Sequence, residues 1–258
     1  MPDNGTVSGR FSRLGAYEKA GLALSLLFAA FLILDPLVLS AVRGLDPDTR
    51  RVFALLTHFG KAGWILIPSG AGILLLAWLN AREQSLRRGV IFDYVSKLLV
   101  FVFVSVSLSG LTASLLKNVI GRARPKFHDE LGSLAFHPFS FDASFAAFPS
   151  GHAATIGALA GVLAIVWPRA RVPLLIAGAW IAATRFLITA HYFTDAVAGY
   201  ALGLAFAYFL RGSLARRGWL FRLDQQGAVQ LRGRTLLRGA ANALKARVSS
   251  RAHDSFLP

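Results

Sequence analysis

Cysteine is absent from the 258 residues. That excludes disulfides, zinc–thiolate sites and thiol catalysis together. Charge is scarce as well: 16% of residues are charged and 55% hydrophobic, with a mean hydropathy of +0.53. Soluble domains carry about a quarter charged residues, so this chain reads as a membrane protein. Acidic residues are the rarest, 13 against 28 Lys and Arg, for a formal charge of +15. Such a balance raises nucleic acid as a partner. The basic residues fall instead between long apolar runs, where membrane topology puts them, and no nucleic-acid partner is expected. No row of carboxylates offers to hold a metal cluster, so no metal or cofactor is expected. Neither an internal repeat nor a second folded domain is visible.

Six stretches are apolar enough for a bilayer crossing, which takes roughly 20 residues. They cover 20–42, 62–80, 98–116, 149–168, 172–190 and 192–210. The fold class expected is an all-α integral membrane protein, a six-transmembrane-helix bundle with its active site at one membrane face. Asp35, followed by Pro36, is a blemish in the first stretch. The polar start and the length of that stretch predict a retained helix rather than a cleaved signal peptide. With the N-terminus inside, nineteen Lys and Arg fall on the inner side and nine on the outer. This bias predicts both termini in the cytoplasm. The domains follow: a cytoplasmic segment 1–19, a membrane domain 20–210 and a basic cytoplasmic tail 211–258. The tail reads as a topological anchor lying on anionic lipid.

This topology gathers polar groups at one end of the bundle. The third span ends at Lys117, the fourth begins at Ser150-Gly151-His152, the fifth carries Arg185, and His191 and Asp195 border the sixth. Ionisable residues in a membrane domain are functional by default. Cations and free N–H groups at a helix start suit a tetrahedral phosphate. His191 and Asp195 are four residues apart, which on a helix lets the carboxylate hold the imidazole N–H and aim the other nitrogen. An oriented neutral histidine is a nucleophile or a base, and His152 is available as the acid. Each residue also has an ordinary explanation. Ser150 is a good helix cap, Lys117 an unremarkable helix-end lysine, His191 an interfacial histidine, and Arg185 and Asp195 a neutralising pair.

The same residues carry a resemblance. "KNVIGRARP" (Lys117 to Pro125) fits Lys-x6-Arg-Pro, and "PSGH" (Pro149 to His152) fits a second signature. "TRFLITAHYFTD" (Thr184 to Asp195) fits Ser-Arg-x5-His-x3-Asp, with Thr184 in place of serine. In this order and spacing they resemble the type 2 phosphatidic acid phosphatase superfamily, whose core is shared with vanadium haloperoxidases. The resemblance implies a metal-independent lipid phosphatase in which His191 attacks phosphorus to give a phosphohistidine and Asp195 orients it. His152 would protonate the leaving oxygen and then activate water. Lys117, Arg124 and Arg185 would grip the phosphoryl oxygens, assisted by Ser150 and the Gly151 N–H. The substrate class implied is a lipid phosphate or diphosphate: phosphatidic acid, phosphatidylglycerophosphate, a polyprenyl diphosphate or lipid A. The reading leans to a phospholipid or polyprenyl phosphate because those are the more general. The site would face the periplasm or exterior from the inner membrane. The alternative is a non-catalytic headgroup binder, flippase or transporter using the same cationic pocket.

Residues outside the motifs receive ordinary readings. His58, His128, His137 and His253 are expected at the surface. Arg122 and Lys126 are expected to attract headgroups or to be solvated. The phenylalanine-rich segment Lys126 to Pro149 reads as packing over the bundle or as an entry lip for a lipid. Gly44 to Gly63 reads as a short amphipathic helix on the outer surface.

Overall fold

The computed structural model describes residues 15–224 and 226–232. Seven helices carry most of them: α1 (Ala16–Arg43), α2 (Pro47–Leu56), α3 (Gly63–Arg82), α4 (Leu86–Ile120), α5 (Gly151–Val166), α6 (Arg171–Leu187) and α7 (Phe193–Arg216). A small antiparallel hairpin of β1 (Phe221–Leu223) and β2 (Val229–Leu231) follows. All six apolar stretches are helical. Among the described residues four segments are long and apolar enough to cross a membrane, 47–82, 88–120, 168–187 and 193–216. The outward faces agree with an apolar surrounding. Ile33, Leu37, Ile67, Leu74, Leu111, Trp180 and Phe209 are all exposed on a chain this poor in charge.

Helix α5 is the hub of the bundle. It is apolar all round, as a helix surrounded by protein should be, and residues 153–158 are all buried. At 16 residues it is shorter than a bilayer crossing requires. Small residues let α7 approach it closely. A Cβ added at Gly203 would meet the Ala154 carbonyl at 2.1 Å, and one at Gly157 would meet the Tyr200 carbonyl at 2.3 Å. This close packing brings the starts of α5 and α7 together, and the Ser150 N–H donates to the Asp195 carbonyl at 3.0 Å.

Helix α4 begins well before the apolar stretch 98–116. Its first turns keep Lys97 and Asp93 paired at 2.6 Å across one turn, so charge there does not end the helix. It stops at Gly121, whose left-handed conformation (φ 65°) would press any Cβ into the His137 carbonyl. The expected amphipathic helix is present as α2. Asp46 caps it, accepting from the N–H groups of Asp48 and Thr49. The start of the tail is structured: α7 runs to Arg216 and the hairpin packs against α4 and α7 through Phe221 and Leu220. The remainder of the tail from 233, with His253, lies outside the described residues, as do residues 1–14.

Candidate active site

Polar side chains converge where α5 and α7 begin and α4 and α6 end. Ser150 is the N-cap of α5, fully buried, its hydroxyl accepting from the Ala153 N–H at 3.4 Å. Gly151 and His152 form the first turn, both half-buried. Nothing lies within 4 Å of a Cβ built on Gly151. The Cβ side of Gly151 is therefore open, and a helix start of this kind offers backbone N–H groups to an anion.

His191 is buried in the connection between α6 and α7. Its backbone N–H donates to the Arg185 carbonyl at 3.2 Å, and its Nδ1 lies 2.8 Å from the Ala147 carbonyl. A carbonyl only accepts, so Nδ1 carries the proton and Nε2 keeps its lone pair. Asp195 Oδ2 is 3.7 Å from Nδ1, too far for a hydrogen bond. The expectation that Asp195 directly holds the imidazole is thus corrected. That expectation took both residues as helical, but α7 starts at Phe193, after His191, so the four-residue spacing does not place them on one helix face. The Asp195 oxygens are engaged elsewhere: Oδ2 caps α7 by accepting from the Tyr192 N–H at 2.8 Å. Burial pushes the His191 imidazole below its ordinary pKa. Asp195 opposes the shift, while Arg185 and Arg124 add to it.

The three expected cations differ in how they are held. Arg185 is buried; Nη1 donates to Thr57 Oγ1 at 2.8 Å, and Nε has no hydrogen-bond partner among the described residues. It makes no ion pair with Asp195, so the neutralising-pair explanation does not hold. Arg124 is half-buried, with Nε donating to the Ala143 carbonyl at 2.8 Å. Lys117 stands half-buried in the last turn of α4, with no hydrogen bond or ion pair among the described residues. His152 lies within electrostatic reach of Arg185, His191, Lys61 and Arg124. The Thr184 hydroxyl donates to the Ile181 carbonyl at 2.6 Å within α6, so the serine-to-threonine departure is absorbed by the helix itself.

Two contributors escaped the sequence reading. The turn Thr57–Gly60 after α2 delivers Thr57 to Arg185 and brings Gly60 against His152, where an added Cβ would lie 3.1 Å from the His152 Cβ. Lys61 follows directly. Nothing in its apolar-helix-to-helix setting marks this turn from sequence, because its partners are over ninety residues away. The second is a buried ionic cluster. Arg122 is fully buried, donating from Nη2 to Asp35 at 2.6 Å and from Nη1 to Asp195 at 2.6 Å and to Thr194 at 2.9 Å. Phe31 and Tyr192 flank the guanidinium at 4.4 and 4.2 Å. The headgroup or solvated role expected for Arg122 is therefore overturned, and Asp35 is no blemish.

The other histidines are partly as expected. His58 and His137 are exposed, whereas His128 is half-buried beside the Tyr192 hydroxyl at 3.2 Å. The phenylalanine-rich segment divides: Phe148 packs edge-on against Phe31 of α1 at 5.3 Å, while Phe139 and Phe141 point outward, 74% and 88% exposed. Among the described residues no three His, Asp or Glu cluster as metal ligands.

The chain is similar to known proteins. The PAP2 superfamily model matches residues 98–219, which hold every motif residue. A lipid A 1-phosphatase of Rhizobium johnstonii is 38% identical over 180 residues, covering 67% of this chain and 71% of that protein. A lipid A 1-phosphatase of Rhizobium etli is 39% identical over 180 residues, covering 67% and 75%. A solved structure, a transmembrane PAP2-type phosphatidylglycerolphosphate phosphatase from Bacillus subtilis, is 21% identical, with a TM-score of 0.48 over 72% of this chain and 93% of that one. With enzymes as its relatives and a phosphate-suited site, the chain is a membrane phosphatase and belongs to the PAP2 superfamily.

Proposed function

We propose that the protein removes the phosphate at position 1 of a lipid A-type substrate through a phosphohistidine, at the outer face of the inner membrane. The observation that carries the chemistry is Arg185. Its buried Nε has no partner among the described residues, beside an imidazole whose tautomer leaves Nε2 its lone pair. A buried donor without an acceptor is costly, and a phosphoryl oxygen supplies one. Lys117, Arg124 and the Gly151 N–H complete the grip, with Ser150 holding the helix start. The His191 Nε2 lone pair forms the N–P bond as the P–O bond to the lipid breaks, and His152 gives the leaving oxygen its proton. Water then attacks phosphorus, His152 takes its proton, and the N–P electrons return to Nε2. The clamped cations lower the barrier by offsetting charge on the equatorial oxygens. Asp195 orients this assembly from behind.

Both relatives are lipid A 1-phosphatases by name, and this supports lipid A over the phospholipid or polyprenyl substrates toward which the sequence alone leans. A panel of lipid A, phosphatidic acid, phosphatidylglycerophosphate and polyprenyl diphosphate, assayed with EDTA, tests this. Lipid A should show the highest kcat/KM, with release from position 1. A preference for phosphatidic acid overturns the substrate, and release from none overturns the function.

The finer topology belongs to this proposal: six spans, cytoplasmic termini and a basic tail on anionic lipid. A cavity of about 530 Å³ at the far end of α5 and α7, lined by Arg171, Arg211, Arg222 and Arg232, supports the last of these. Phe139 and Phe141 form the entry lip beside the site.

Two outcomes follow. Gly151→Ala fits the free fold, so folding should be unchanged while KM for lipid rises several-fold, because the methyl enters the phosphate cradle. Unchanged kinetics place the phosphate elsewhere. Because His191 is neutral to below the ordinary histidine pKa of about 6.5, the acidic limb of kcat/KM should fall below that value. Protonation as pH falls removes the lone pair, so activity is lost on the acid side. A limb above 7 contradicts this assignment.

A further inference from the structure

The geometry points to Arg122 and Asp35 as positioning residues that set the aim and the charge state of His191 through Asp195 and Ala147. It rests on the catalytic role proposed for His191, but neither residue belongs to the motif positions that grip phosphate.

The connection is a chain of named hydrogen bonds whose two ends meet behind the imidazole, one at a hydrogen bond and one at a 3.7 Å electrostatic contact. The Arg122 carbonyl accepts from the Ala147 N–H at 3.1 Å, and the Ala147 carbonyl accepts from His191 Nδ1 at 2.8 Å. From its other end Arg122 grips Asp195 Oδ1 at 2.6 Å, and Asp195 Oδ2 stands 3.7 Å from the same Nδ1. Backbone and side chain of one residue thus hold both groups behind the imidazole. Arg122 is itself fixed: Nε and Nη2 donate to the Ser133 carbonyl at 3.1 and 2.8 Å, and Nη2 also reaches Asp35. Asp35 ties α1 into this network, accepting from the Thr194 N–H at 2.9 Å and its hydroxyl at 2.6 Å. Asp35, Arg122 and Asp195 are all fully buried.

The charges explain the arrangement. Two carboxylates and one guanidinium leave a net negative charge behind the ring. With Arg122 drawing on it, Asp195 cannot act alone as a close counter-ion that would protonate His191. The net charge still favours the cation-like phosphohistidine once formed. The other charged or titratable groups within electrostatic reach of His191 are Arg185 of α6, Arg124 of the connection after α4, and His152 of α5. Outer-shell partners of this kind commonly set ligand basicity and orientation.

The test compares purified full-length variants in detergent on lipid A. Asp35→Asn keeps an arginine–aspartate pair, and leaves Asp195 as the carboxylate paired with Arg122. Its kcat should fall about tenfold with KM within twofold, and its acidic limb should move to lower pH. Asp35→Asn combined with Arg122→Gln leaves Asp195 alone beside the ring, and the limb should move to higher pH. A structural role changes the folded fraction and does not move the limb in opposite directions. Folded variants with wild-type kcat and limb overturn the inference. Should the double variant fail to fold, Asp35→Asn alone decides by the same criteria. His191→Ala is assayed alongside: full activity there overturns the catalytic reading itself, whereas its loss with unaltered Asp35→Asn overturns only the positioning role.

Discussion

His191→Ala should lower kcat on lipid phosphate by at least about a thousandfold, the scale seen when a nucleophile is removed, with lipid binding and folding retained. The side chain lies in a connection rather than inside a helix, and its main structural contribution is one hydrogen bond to the Ala147 carbonyl. Losing that bond costs about 1 kcal/mol, a small part of the stability of a bundle organised around α5. The cations that hold phosphate, Arg185 and Arg124, are fixed by Thr57 and by the Ala143 carbonyl and are untouched by the change. Binding and turnover should therefore separate. A carrier or headgroup binder would lose little from this substitution. Phosphate release from the variant within tenfold of wild type would remove His191 from the chemistry.

Arg122→Ala should be the most destabilising single change in the site region, by about 3–5 kcal/mol, the range for breaking a buried ion pair. Removing the guanidinium leaves Asp35 and Asp195 facing each other without the cation between them, both fully buried. It also empties the space between Phe31 and Tyr192. Thermal unfolding in detergent reads this directly, and the variant should unfold many degrees below wild type. An unfolding midpoint unchanged within a degree would mean that the cluster contributes nothing. By contrast Arg51→Ala, which removes an exposed pair with Asp48, should have no measurable effect.

The sequence disclosed the site where its residues follow one another along a helix or across a helix start. Ser150-Gly151-His152 is legible because capping and the change to an apolar run are local events. The long apolar stretches are legible because a bilayer-scale run of nonpolar residues has few alternatives. What escaped depends on packing between distant segments. Asp35 and Arg122 are 87 positions apart and meet only because α1 packs against the start of α7. A lone aspartate in an apolar run was nonetheless a signal, since such a charge needs a partner. Thr57 and Lys61 enter the site on a short turn with no motif of its own. The His191–Asp195 spacing misled for a definite reason: the helix starts between them, so the helical rule did not apply. The hairpin after α7 was missed because three-residue strands carry too little periodicity to read.

The central claim is that His191 carries the phosphoryl group during turnover of a lipid phosphate. Purified protein mixed with lipid A labelled with ³²P at position 1, then quenched in alkali within the first turnover, tests it most directly. The wild type should hold alkali-stable, acid-labile label approaching one phosphoryl group per chain, and His191→Ala none. An active wild type that carries no label at any time during turnover would contradict the account.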